Sequence, residues 1–182
     1  MRGKSHICLG KYLSQRYMKH RTRSEITAFL IGCIEPDRNP ATYLKGSIRF
    51  QWLRGHNYRN ASRYMERIAR RLEKKTSWNL WDFYTLGKLI HYTADAFTSA
   101  HNDSFPGNLS DHKVYEADLQ NHFLRYIGKA PASQIHSSDP IMDMIRRSHQ
   151  EYEKKTGSIS RDSRFALSAA CCILALLFPV SM

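Results

Sequence analysis

The chain has 182 residues, enough to bury a core and consistent with one domain over residues 1–182. Its 42% hydrophobic and 12% aromatic content excludes a disordered chain. Twenty-eight Lys and Arg against 16 acidic residues give a formal charge of +12, so the expected partner is anionic: phospholipid, nucleic acid or a phosphorylated metabolite.

Period-two alternation is almost absent, and apolar residues recur every three or four positions. The expected architecture is all-α, a single multi-helix domain of about seven helices. A first helix is expected after Ser5. A second opens at the cap-like Ser24, carries Ile26, Phe29, Leu30 and Cys33, and stops near Pro36. The stretch from Asp37 to Gly55 reads as irregular, and Asn60 to Lys75 as an amphipathic helix with a solvated basic face. Ser77 is placed to cap a helix from Trp78 to about Ala100. Its apolar residues, from Leu80 to Phe97, spread around most of the circumference, the pattern of a central buried helix. Asn102 to Asp111 is rich in turn residues and reads as a loop. Helices to about Tyr126 and from Ile141 to Lys155 follow.

The run from Phe165 to Val180 is the most apolar, yet it falls short of the ~20 residues needed to span a bilayer. A buried closing helix is the expectation, with membrane contact as the second reading. Cys8, Cys33, Cys171 and Cys172 show no zinc-thiolate spacing, and reduced thiols are expected. The N-terminal stretch reaches Lys11 too soon for a secretory signal, so a cytoplasmic location is expected.

The central helix carries His91 and Asp95, four apart and on one face. A buried carboxylate costs several kcal/mol at least unless a cation or strong donors compensate it. A divalent ion would do so, as would a His–Asp hydrogen bond or an arginine. His101 lies six residues beyond Asp95; if the helix continued, it would stand ~9 Å further along and about 240° around. It therefore calls for a second ion. His112 and Glu116, again four apart, supply with His101 a three-ligand set with an open fourth position. Asp37 and His56, in irregular segments upstream, are able to complete the first set. Two metal ions flanking an activated water are the usual machinery for attack on a phosphodiester.

The segments GCIEPD ending at Asp37, RGHN with His56, LGKLIHYTADAFTSAHN with His91, Asp95 and His101, and HKVYE with His112 and Glu116 resemble the zinc-dependent phospholipase C family, whose fold is shared with zinc-dependent single-strand nucleases. The resemblance runs from His6 to about Glu116. It implies that Asp37, His56, His91 and Asp95 bind one zinc ion, and His101, His112 and Glu116 another. It implies a third site bridged by Asp95, with His6 as the matching histidine, for two or three ions in all. Asp37 is the implied base, and the implied reaction is attack by zinc-bound hydroxide on phosphorus. Two features depart from the pattern. Secreted members complete the third site with a mature N-terminal Trp, whereas here Met1 stands five residues before His6. Choline-phospholipid enzymes carry a Tyr after the aspartate matched by Asp37; here Arg38 stands there, suited to substrate binding through an anionic headgroup.

His20, His122, His136 and His149 read as surface or cap residues, and Trp52, Trp78 and Trp81 as packing residues. Tyr92 or Phe105 is placed to stack on substrate, and Asn57 and Asn102 to orient ligands. The expected function is a metal-dependent phosphodiester hydrolase of phospholipase C type acting on a phospholipid headgroup, with peripheral membrane contact. A nuclease or nucleotidase on the same scaffold is the alternative, given the +12 charge. A metal-binding helical protein without turnover is a third. An HD-type phosphohydrolase is excluded, because the chain has no His-Asp dipeptide.

Overall fold

The computed structural model describes residues 1–39, 58–102, 105, 108–129, 139–155 and 157–179. Trp52, His56, Asn57 and His136 lie outside the described residues. Seven α-helices account for most of them, with no strand among them: α1 (Gly3–Tyr17), α2 (Arg23–Arg38), α3 (Tyr58–Glu73), α4 (Leu80–Ala96), α5 (Leu109–Ile127), α6 (Ile141–Glu153) and α7 (Ile159–Leu177). A short 3-10 turn, Ser99–His101, lies between α4 and α5.

Helix α4 is the centre. Of its residues only Leu80, Trp81 and Tyr84 escape burial, and it packs against α1, α2, α3 and α7. Its start is Asn79 rather than Ser77: the Asn79 side chain accepts from the Asp82 amide, and the Asp82 carboxylate accepts in return from the Asn79 amide. Lys75 reaches the same carboxylate at 3.1 Å, which ties the end of α3 to the start of α4. Trp81 is 60% exposed and so is no packing residue, whereas Trp78 packs on Phe83 and Phe178.

Helix α2, by contrast, opens earlier than expected. Thr22 and Glu25 form the reciprocal cap, so Ser24 is inside the helix. Pro36 does not end it. The helix continues to Arg38, which places Asp37 on its last turn and not in an irregular segment. Proline removes the N–H that Gly32's carbonyl would use. The turn is held instead by the Asn39 amide on the Glu35 carbonyl (2.9 Å) and by a buried ion pair, Lys88 Nζ to Glu35 Oε2 at 2.7 Å.

The close approach of α2 and α4 depends on two glycines. A Cβ on Gly32 would run into the Tyr84 carbonyl oxygen, and one on Gly87 into the Phe29 carbonyl and, at 2.7 Å, the Cys33 amide. Backbone against backbone cannot yield as a side-chain tip can. The crossing brings the end of α2 against the last turns of α4, which sets Asp37 beside His91 and Asp95.

The apolar C-terminal segment is a buried helix. Helix α7 starts six residues before Phe165, capped by Ser158, and packs against α1, α4, α5 and α6. No helix among the described residues is long and apolar enough to cross a membrane. The four cysteines are free thiols, three of them buried.

Gly87→Ala is expected to destabilise the protein by about 1–3 kcal/mol through overpacking, which outweighs the ~1 kcal/mol that alanine gains in helix propensity. Gly128→Ala, where an added Cβ meets nothing within 4 Å, is expected to be neutral or slightly stabilising. Urea denaturation of the two variants compares them directly.

Candidate metal centre

Two groups of ligand-type side chains meet at the C-terminal end of α4. His6 of α1, Asp37 of α2, and His91 and Asp95 of α4 each offer an atom, all within 4.8 Å of one another; His101, His112 and Glu116 do the same. The first group is interior. His6, His91 and Asp95 side chains have no exposure, and Asp37 has 25%. The second faces solvent, with His101, His112 and Glu116 at 11%, 29% and 20%.

Each ring is placed by its helix. His91 Nδ1 lies 2.9 Å from the Cys33 carbonyl. A carbonyl only accepts, so Nδ1 carries a proton and Nε2 is the atom turned toward the carboxylates. Nε2 is 3.3 Å from Asp95 Oδ2 and 3.6 Å from Asp37 Oδ1. His6 stacks on His91 with ring centroids 3.9 Å apart, and its Nε2 is 3.3 Å from Asp95 Oδ1 and 4.0 Å from Asp37 Oδ2.

His101 reaches Asp95 because α4 ends at Ala96 rather than continuing to Ala100. The Thr98 hydroxyl donates to the Asp95 carbonyl (2.8 Å), and the Asn102 amide side chain donates to the carbonyls of Ala96 (3.0 Å) and Thr98 (2.8 Å). The chain turns back and sets His101 Nδ1 3.2 Å from Asp95 Oδ1. His101 Nε2 is 3.7 Å, and His112 Nε2 3.5 Å, from Glu116 Oε1. Asp95 therefore stands between the two groups. The Met1 amine also donates to Asp95 Oδ1 and lies 3.4 Å from Glu116 Oε1.

These separations suit co-ligands better than hydrogen bonds. Charge-assisted N–H···O contacts run about 2.7–2.9 Å. Two ligands about 2.0–2.1 Å from a tetrahedral zinc lie roughly 3.3 Å from one another. Among the described residues, neither ring nitrogen of buried His6 has a well-aligned hydrogen-bond partner. Imidazole and carboxylate donors, with that pair of nitrogens waiting, fit zinc.

The electrostatics agree. Burial, reinforced by the charge of His91, pushes His6 down to about 3, so its ring is neutral and able to donate a lone pair. Burial alone would push Asp95 up, but His101, the Met1 amine, His6 and His91 outweigh it and hold the carboxyl well below the usual range. Glu116 likewise falls to about 2, burial being overcome by the hydrogen bond from His112 and by the Met1 amine and His101. His101 is lowered by burial against the pull of Asp95, while His91 is raised because Asp95 and Asp37 overcome its burial.

Some residues fall elsewhere. Arg38 is exposed at the end of α2, next to Asp37. Tyr92 is only 4% exposed and packs edge-on against Tyr64, so it cannot stack on substrate. Phe105 lies partly exposed beside His112. His149 is no surface residue: it is 3% exposed, stacked on Tyr58, with Nε2 2.9 Å from Asn102 Oδ1. It orients the amide that turns the chain toward His101. His122 is half-buried against the Ser163 hydroxyl. The buried Asp162, on α7, was invisible to helical spacing because its partners come from three distant segments.

A helical protein with clustered imidazole and carboxylate side chains at the end of its central helix has two groups of residues that could each hold a metal ion. The family model described as zinc dependent phospholipase C matches residues 5–159, and the chain belongs to that family. Among curated proteins and among solved structures, none matches the chain.

The depressed histidines make metal-free stability depend on acid. The unfolded state binds a proton at His6 near pH 6.5, and the folded state only near 3, so stability is lost as pH falls through that window. The expected loss is about 2 kcal/mol by pH 5 from a group held 1.5 pH units out of equilibrium. Denaturant titrations of chelator-treated protein at pH 6.5 and 5 measure it; His6→Gln is expected to flatten the difference.

Proposed function

We propose that residues 1–182 form one domain that hydrolyses the phosphodiester of a phospholipid headgroup in the manner of a phospholipase C, with zinc as cofactor. His6, Asp37, His91 and Asp95 hold one ion and His101, His112 and Glu116 a second, with His56 assigned to the first by resemblance. His6, expected for a third ion, groups by distance with the first set, and we assign it there, for two ions in all. The observation that carries the reading is Asp95, a fully buried carboxylate with imidazoles of both groups 3.2–3.3 Å from its oxygens.

Zinc, when bound, supplies an acidified water and neutralises charge on phosphoryl oxygens. The residues do the rest. Asp37 is the partly exposed member of the interior set, reachable by water, and takes the proton of the attacking water. His112 and Glu116 face solvent, where the phosphate enters. Arg38, exposed beside Asp37, pairs with an anionic headgroup. A cation there disfavours a quaternary ammonium.

Purified protein is expected to carry two zinc equivalents by elemental analysis, falling toward one in His91→Ala and in His112→Ala. Asp95→Asn is expected to lower kcat on a bis-aryl phosphodiester by roughly a thousandfold, the equivalent of ~4 kcal/mol of lost charge stabilisation. Against vesicles, hydrolysis of anionic phospholipids is expected to exceed that of phosphatidylcholine, with Arg38→Ala reducing the preference about tenfold. Cleavage of single-stranded nucleic acid with phospholipids left intact would overturn the lipid assignment; a preference for phosphatidylcholine would overturn the role of Arg38.

A further inference from the structure

Three helices and the 3-10 turn converge on a carboxylate that the proposed chemistry does not use. Asp162, near the start of α7, has no exposure. Its Oδ1 accepts from the Tyr152 hydroxyl of α6 at 2.8 Å. Its Oδ2 accepts from the Ser99 hydroxyl at 2.8 Å, the Ser99 amide at 3.2 Å and the Tyr115 hydroxyl of α5. The Ser99 amide also donates to the Tyr115 oxygen at 3.0 Å. Four donors thus replace water around one buried charge, and among the described residues no cation forms an ion pair with it. Burial and the Asp162 charge raise the pKa of both tyrosines, which keeps their hydroxyls as donors.

The partners are not scattered at random. Ser99 opens the turn that ends at His101, and Tyr115 directly precedes Glu116. One oxygen of Asp162 holds both segments. Gly157, in the α6–α7 connection, closes over the network: a Cβ there would overlap the Ser99 hydroxyl and stand 3.3 Å from Asp162 Oδ1. Asp162 also lies beyond the 5–159 stretch that matches the family.

We propose that Asp162 is a positioning residue for the His101, His112 and Glu116 group, setting the 3-10 turn against α5 so that His101 and Glu116 meet across one ion. This rests on the metal reading of those three residues. Buried hydrogen-bond partners behind ligands typically govern metal affinity by 10–100-fold.

Chelator-stripped full-length protein titrated with cobalt(II), whose visible absorption reports coordination, tests it. His112→Ala first identifies the cobalt sites belonging to the outer group. Asp162→Asn is expected to weaken those sites by roughly 10–100-fold and alter their spectrum while leaving the inner sites unchanged. Tyr115→Phe is expected to act in the same direction by a smaller factor. In the His112→Ala background, Asp162→Asn is expected to change nothing further. Wild-type isotherms and spectra in Asp162→Asn and Tyr115→Phe, or equal weakening of both groups, overturn the proposal. Should Asp162→Asn lack a cooperative melt by circular dichroism, Tyr115→Phe and Ser99→Ala decide, since each removes hydrogen-bonding capacity from the network without removing the carboxylate. Wild-type protein that binds no cobalt sinks the metal reading as well; wild-type binding with unaffected variants sinks this inference alone.

Discussion

The structure turns on a carboxylate with no access to water. Asp95 sits on the most buried helix, and its charge is tolerated because groups able to carry positive charge arrive from every side: His6 from α1, His91 from one turn earlier, His101 from the reversed chain and the Met1 amine. Each alone is too weak to offset the desolvation of an ion. Together they hold the carboxyl well below the usual carboxylate range, which leaves an ionised oxygen pair at the end of α4 between the two groups of side chains.

That convergence needs backbones closer than most side chains permit. Gly32 and Gly87 let α2 lie against α4, and the Lys88–Glu35 pair holds the two helices near the site. The same crossing puts the Cys33 carbonyl against His91, which selects the ring's tautomer. Packing and chemistry are one constraint here. A change that separates the helices also turns the imidazole.

The helical class was legible from the three- and four-residue spacing of apolar residues, and the central helix from their spread around most of the circumference of α4. So was the pairing of His91 with Asp95 and of His112 with Glu116, since a four-residue step is fixed by helical geometry. Where α4 stops was not. Extrapolating the helix put His101 too far round to share an ion with His91, and the two do fall in separate groups; the break at Ala96 itself depends on Asn102, and Asn102 on His149 forty-seven residues away. Local spacing carries no record of such a contact. Pro36 misled in the opposite sense, because a proline near a helix end costs one hydrogen bond, and the Asn39 amide and the Lys88–Glu35 pair hold the last turn. Asp162 left no local signal either. Its significance lies in who surrounds it, not in its position along α7.

The graded exposure of the inner four gives the group a direction. His6, His91 and Asp95 are sealed, and Asp37 is their contact with solvent. Asp37 also rides on the turn where proline has removed one backbone bond and the Asn39 amide and the Lys88–Glu35 pair hold the chain instead. On the proposed metal reading, an ion bound by the inner four would meet solvent at Asp37, so the side chain assigned to the chemistry would also stand at the entrance to the site.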